Sequence, residues 1–450
     1  MEYYERMCQE MADLAKKGII YHTNSSIAIT YTWKTSGLFS QIRPFNKGRF
    51  DESVAQLVKE SDILRAKVIP DSQIIEVIED CKVSDDVDSI NTIINSDNAN
   101  IIIRLSDDPT EKSQSLEIVI PHILFDGMSG GLLIKRFFEI YILKTISCGC
   151  LGKQWPLDSS IALLQKRRSE QEQALTIIKQ KPKSSLFDSS LEVNGVLSPT
   201  ILPPLSKKVP ERWPTYSFTV PTADIQHIAT QLSKQLGKNI TKEVASEVLS
   251  YIALTVINKG PVTTRKTFHG RRSDEMRSPS YVATAKPYGF KIQDDWTLSD
   301  IFNQSKRIIK SLVKGESASI PIEKLIEEKL LDHAPQVGLN ILPKSTGNPD
   351  PPLPKLIFAK YMESYLGPIL GVDIKSDIFL SDWYTQSKTY DVQLDVTGIT
   401  DTQDTEFQVS LTRNCNETTG NQFERAIRTL ITAYKSNPMI RFGSLKKIQD

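Results

Sequence analysis

Between Lys179 and Pro214 the chain loses all regular spacing. The run KQKPKSSLFDSSLEVNGVLSPTILPPLSKKVPERWP is dense in Pro, Ser and Lys, and such stretches lie at surfaces and join compact units. On either side the same texture recurs, with short β-branched or aromatic runs alternating with segments of helical period. A chain interrupted in this way is expected to fold as two layered α/β bodies: an N-terminal lobe over 1–178, a linker over 179–214 and a C-terminal lobe over 215–450. No sequence repeat relates the halves, so any duplication is one of fold. At 450 residues the chain can bury a sizeable core without metal or disulfide staples.

In the first half, residues 2–17 read as an amphipathic helix closed by Gly18, and SSIAITYTW as a strand. DESVAQLVKESDILRAKV reads as one helix capped by Asp51. IIEVIED, NANIIIRL and SLEIVI read as strands, the last leading through a loop into a long helix, MSGGLLIKRFFEIYILKTI. In the second half YSFTV is strand-like, TADIQHIATQLSKQLG is a helix ending at Gly237, and a helix capped by Thr241 follows. Strands near VTTRKTF, VGLNIL, DIFLS, DVQLDV and EFQVSLT accompany helices at LSDIFNQSKRIIKSLV and GNQFERAIRTLITAYK.

Composition removes several classes of function. Basic and acidic residues balance at 55 and 54, a net charge of +1, which counts against a nucleic-acid binder. The five cysteines are scattered, and Cys148 and Cys150 lack the spacing of a redox or zinc motif; together they fit a reducing compartment. The N-terminus lacks the apolar core of a signal peptide. No stretch approaches the roughly 20 unbroken apolar residues of a membrane span, and the richest one carries Lys135, Arg136, Glu139 and Lys144, as a buried helix does. A cytoplasmic protein is expected.

Chemistry concentrates in Pro121-His122-Ile123-Leu124-Phe125-Asp126-Gly127-Met128-Ser129-Gly130-Gly131, between a strand and a helix. Three readings compete there. His122 can serve as a general base at neutral pH, with Asp126 fixing the loop by pairing with a distant Arg and Gly127 permitting a tight turn. Alternatively, Gly127 to Gly131 matches G-x-S-x-G, which makes Ser129 a hydrolase nucleophile, with His227, His269 and His333 as formal triad partners. The strand-like LEIVI ends upstream of Pro121, whereas an elbow serine should follow its strand directly. Third, His122 and Asp126 as metal ligands lack further nearby partners, so no metal is expected. Elsewhere the run Lys166 to Arg168 reads as a solvated helix face.

Several separated segments, in order, resemble the condensation domains of nonribosomal peptide synthetases, within the chloramphenicol acetyltransferase-like acyltransferases. PHILFDGMSGGLLIKRFFEIY is similar to the HHxxxDG core and its following helix, and LVKESDILRAKV to an earlier helix ending in a "RHEILR"-like stretch. TTRKTFHGRR resembles the strand leading to a Gly-Arg motif, VGLNILPK a later strand bearing an Asn, and NPMIRFGSLKKI the closing segment. Pro121 stands in place of the first His of the core motif and Ser61 in place of the upstream His.

The resemblance implies two chloramphenicol acetyltransferase-like lobes forming a V-shaped pseudo-dimer with a central tunnel. It implies His122 as the catalytic residue, Arg271 as the structural partner of Asp126, and Asn340 and Ser129 along the substrate tunnel. The expected reaction is transfer of an acyl group from a thioester to an alcohol or amine, with Gly127 and Met128 amides stabilising the oxyanion. The donor is a phosphopantetheine or coenzyme A thioester acting as co-substrate, with no permanently bound cofactor. With no carrier or adenylation segment in the chain, an acyl or peptidyl carrier protein is expected in trans, and the protein itself as a monomer. A condensation-like domain that binds a partner without catalysis is the alternative, and hydrolysis by Ser129 a more distant one.

Overall fold

A computed structural model of the chain describes residues 26–35, 47–69, 74–77, 83–85, 91–96, 99–108, 113–121, 126, 129–130, 132–133, 136–137, 139–141, 157–181, 215–268, 270–315, 318–330, 337–341, 372–380, 392–397, 405–411 and 417–449. The protein has a layered α/β fold in two compact units. Unit one takes Met1–Ser169, His269–Ala283 and Asp350–Tyr384, and unit two takes Glu170–Phe268, Thr284–Pro349 and Thr385–Asp450. The units therefore differ from contiguous lobes over 1–178 and 215–450. The expected linker lies almost wholly outside the described residues, as does the helix expected over 2–17.

Unit one is built on a six-stranded sheet of order β12-β1-β7-β6-β5-β4. Its strands are β1 (Ser26–Thr35), β4 (Val83–Asp85), β5 (Asn91–Ser96), β6 (Ala99–Asp108), β7 (Ser113–Pro121) and β12 (Val372–Leu380). Every pair is antiparallel. The late strand β12 pairs residue for residue with β1, from Ile27 opposite Leu380 to Thr35 opposite Val372. This pairing seats 372–380 in the sheet of unit one, apart from the expected C-terminal lobe.

Helix α1 (Lys47–Glu60) buries Phe50, Val54, Leu57 and Val58, the i, i+4, i+7, i+8 stripe of an amphipathic helix. Phe50 meets Phe137 edge to face at 5.5 Å, on a helical stretch within 129–141 that also buries Leu133, Ile140 and Tyr141. The helix expected through Val68 instead ends at Glu60. Ser61 turns extended, 62–65 form a 3-10 turn, and Ala66–Ile69 become β2, paired with β3 (Ile74–Val77). The cause is Asp62, whose carboxylate accepts from Ser160 N at 2.9 Å and Ile161 N at 3.1 Å. It thereby caps α2 (Ser160–Ile178) instead of facing outward from a continued α1.

Unit two carries a mixed sheet of order β10-β9-β11-β13-β14-β8, with β11 parallel to both β9 and β13. Its strands are β8 (Thr215–Val220), β9 (Thr264–Phe268), β10 (Thr284–Tyr288), β11 (Val337–Ile341), β13 (Val392–Thr397) and β14 (Thr405–Leu411). Helices α3 (Thr222–Leu236), α4 (Lys242–Ile257), α5 (Leu298–Lys314), α6 (Ile322–Glu327), α7 (Glu417–Ser436) and α8 (Phe442–Gln449) complete it. Gly237 closes α3 in the left-handed conformation and Thr241 caps α4. Helix α4 is buried on every side from Ala245 to Val256, the centre of a core shared with Ile228, Leu232, Phe407 and Ile427. Among the described residues, no helix is long and apolar enough to cross a membrane.

Candidate functional site: the Asp126–Arg271 junction

Asp126 follows the end of β7 and precedes the helical residues described within 129–141. Its carbonyl accepts from Gly130 N at 3.3 Å, and its Oδ1 accepts from Ser129 N at 3.0 Å. Asp126 N in turn donates to Ser129 Oγ at 3.4 Å. Asp126 and Ser129 thus form a reciprocal cap, with Ser in the place where Glu or Gln usually answers.

The same carboxylate is shared with residues remote in sequence. Arg271 Nη1 reaches Oδ1 at 2.8 Å and Oδ2 at 2.7 Å. Val282 N and Ala283 N donate to Oδ2 at 3.1 and 3.2 Å. Ser129 Oγ lies 2.8 Å from Oδ1 and 2.8 Å from the Ser280 carbonyl, so its single proton serves one of them at a time. Arg271 spends its other terminal nitrogen on Ser129 Oγ at 2.9 Å and on the carbonyls of Ser278 and Ser280. Burial alone would push the Asp126 carboxyl up. The Arg271 charge, its hydrogen bonds and those of Ser129 outweigh burial and hold it below the usual carboxylate range. Asp126 is therefore a saturated anion at neutral pH, with its lone pairs committed to scaffold donors, and it is unfit to take a proton from a substrate.

The sequence folds Arg271 into this position through a splint. Gly270 adopts φ 68° at the exit of β9, a left-handed turn that favours glycine. Downstream, Ser160 Oγ donates to the Pro279 carbonyl at 3.0 Å and Ser278 Oγ to the Ser159 carbonyl at 3.3 Å. Asp158 pairs with Arg277 at 2.6 Å. The run Lys166 to Arg168 is not simply a solvated face: Lys166 bonds Asp274 at 3.1 Å, and Arg167 bonds both Glu275 and the Gly270 carbonyl. Glu275 gave no signal in the sequence, because a glutamate in RRSDEMRS looks like any exposed one.

Of the residues expected at the site, Asp126, Arg271 and Ser129 come together. Ser129 corrects the sequence expectation: it is 0% exposed, bonded to Asp126, Arg271 and Ser280, and neither lines a passage nor stands free as a nucleophile. Asn340 lies in β11 opposite Asp395, in unit two, and its side chain is outside what is described. His122, Gly127, Met128 and His269 also lie outside the described residues. Among the described residues no group of three His, Cys, Asp or Glu side chains gathers as a metal site.

No family model matches the chain, and no curated protein matches it in sequence. Solved structures do match it in shape. The first condensation domain of the calcium-dependent antibiotic synthetase is similar at TM-score 0.64 and 11% identity, over 97% of this chain and 96% of that one. The chain has the condensation-domain fold. The starter condensation domain of rhizomide synthetase, solved in complex with C8-CoA, is similar at TM-score 0.64 and 13% identity, over 97% and 95% of the two chains. The condensation enzyme VibH is similar at TM-score 0.62 and 12% identity, over 96% of each. The chain thus shares architecture along nearly its whole length with proteins only 11–13% identical to it.

Proposed function

We propose that the chain is a condensation-type acyltransferase, moving an acyl group from a carrier-protein or coenzyme A thioester to an alcohol or amine. The observation that carries this reading is the saturated Asp126–Arg271 pair. Its carboxylate cannot act as the base, so the proton acceptor of the His122-x-x-x-Asp126 motif is His122, and the pair serves to shape the loop between them. The C8-CoA complex of the rhizomide starter domain supports a coenzyme A-type donor here.

In the proposed step, the acceptor oxygen or nitrogen attacks the thioester carbonyl and its proton passes to His122. The tetrahedral oxyanion rests on the Gly127 and Met128 amides. The C–S bond then breaks, the thiolate leaves with the proton returned by His122, and an ester or amide remains. General-base help of this kind is worth about 10²–10⁴-fold. Asn340 is assigned to the substrate path, and a carrier protein would deliver phosphopantetheine-bound acyl groups in trans.

The test is product formation by wild type and His122→Ala with a panel of acyl thioesters and alcohol or amine acceptors. A loss of about 10²-fold or more in the mutant is expected; equal turnover by both would remove His122 as the base. Pro121, standing where the core motif has its first His, favours a second reading as a non-catalytic binding domain. Carrier-protein binding by a wild type inert across the whole panel would select that reading.

A further inference from the structure

We propose that Arg167 is a positioning residue for Arg271, gripping the peptide groups on both sides of it. This deepens the proposed acyl-transfer reading and rests on it only where catalysis is concerned.

The peptide unit entering Arg271 presents the Gly270 carbonyl, and Arg167 Nη2 donates to it. The unit leaving Arg271 presents Arg272 N, which donates to Glu275 Oε2 at 2.9 Å. That same carboxylate oxygen is held by Arg167 Nη2. One guanidinium nitrogen therefore fixes the backbone before Arg271 directly and the backbone after it through one oxygen. The grip is sheltered, with the Glu275 side chain 2% and the Arg167 side chain 17% exposed. Lys166 adds a second positive charge 3.7 Å from Glu275.

The geometry requires such a grip. Gly270, at φ 68°, has more backbone freedom than any other residue type, and it immediately precedes the guanidinium that must meet Asp126. A left-handed glycine with nothing holding its carbonyl would let Arg271 swing. Arginine suits the task because the bonded nitrogen is part of a rigid planar guanidinium, whereas a lysine ammonium sits at the end of a flexible four-carbon stem. Helix α2 contributes Arg167 about two turns after its Asp62-capped start, so the helix is anchored before it reaches Gly270.

The experiment is hydrogen exchange by mass spectrometry on the full chain, comparing wild type, Arg167→Met, Arg167→Lys and Lys446→Met. The last removes the exposed Lys446–Asp294 pair of unit two and controls for loss of an ordinary ion pair. In Arg167→Met the amides of 270–283 should exchange at least about tenfold faster, the weight of one charge-assisted hydrogen bond. Those of α1 should keep the wild-type rate, and Arg167→Lys should recover part of the protection. Unchanged exchange in 270–283, a rise matched by Lys446→Met, or a rise spread evenly over α1 would overturn the proposal.

Steady-state kinetics on the same proteins give the second readout. With a thioester and acceptor that wild type turns over, Arg167→Met should lower kcat several-fold with KM unchanged. Faster local exchange with both constants unchanged would overturn the positioning role. A folded wild type inert with every thioester would count against the proposed function alone, since the exchange measurement needs no substrate.

Discussion

Arg136 forks onto Glu60 across 76 positions of sequence, Nε to Oε2 at 2.7 Å and Nη2 to Oε1 at 2.9 Å. The pair ties α1 to the helix that Asp126 caps, beside the Phe50–Phe137 contact. Burial works against the ionised Glu60, but hydrogen bonds from Arg136 and Gln56 and the Arg136 charge prevail, and its carboxyl sits below the ordinary value. Arg136→Met should cost about 2–3 kcal/mol, less than for a fully buried pair, because Glu60 is 22% exposed and its stranded charge can find water. Denaturant unfolding of the two proteins at neutral pH checks this.

The pH dependence of stability follows from Asp126 with its sign fixed. Its folded carboxyl titrates below its unfolded value of about 3.9, so its contribution is complete above that pH and is lost as pH falls through the folded value. Asp126→Asn should therefore cost about 3 kcal/mol at pH 7, leaving Arg271 buried without its counter-charge. The gap between mutant and wild type should narrow below pH of about 4. Unfolding curves at pH 3 to 7 test both statements.

Ser129 separates scaffold from nucleophile. Ser129→Ala removes a hydroxyl that serves Asp126 and Arg271 together, and a loss of about 1–2 kcal/mol is expected. A fluorophosphonate probe should leave Ser129 unlabelled in the wild type, because the side chain is buried and its oxygen is already bonded to a guanidinium. Labelling read by peptide mass spectrometry would revive the hydrolase reading.

Two glycines give opposite tests to one lysine. A Cβ at Gly420 would fall 2.1 Å from Cγ of Tyr216, whose hydroxyl is tied to Asn421 and Glu424. Gly420→Ala should destabilise by about 1–3 kcal/mol from overpacking, outweighing the better helix propensity of alanine. Gly270→Ala should cost about 1–2 kcal/mol through its left-handed backbone. Lys329, at φ 55°, reverses the sense, and Lys329→Gly should stabilise by about 1 kcal/mol. Thermal unfolding of the three variants measures all of these.

Much of the secondary structure was legible because local chemistry and tertiary context agree. β1 and β7 are β-branched runs, α3 ends at a glycine that is left-handed, and Thr241 caps α4 as its position suggested. The departures have separate causes. β10 reads TAKPY, and a strand containing Pro287 survives because it lies at the edge of its sheet. Helix α2 is legible only at its Lys166 to Arg168 face, because the polar run QKRRSEQEQ separates its apolar ends. The overrun of α1 follows from Asp62, whose partners lie almost a hundred residues on. At the site, Asp126 and Arg271 stood out through resemblance, whereas Arg167 and Glu275 have no local pattern to mark them.

The seating of β12 beside β1 has a consequence for how the protein is made. Thr35 must wait for Val372, a gap of 372 − 35 = 337 residues, before that flank of the sheet can close. At a synthesis rate of about 5–20 residues per second, β1 spends from roughly 17 seconds to over a minute on the ribosome with one edge open. An open strand edge is a template for pairing with other chains, and a nascent chain stalled or truncated before Val372 would carry that edge for good. Completion of the first unit is thus deferred until most of the second has emerged.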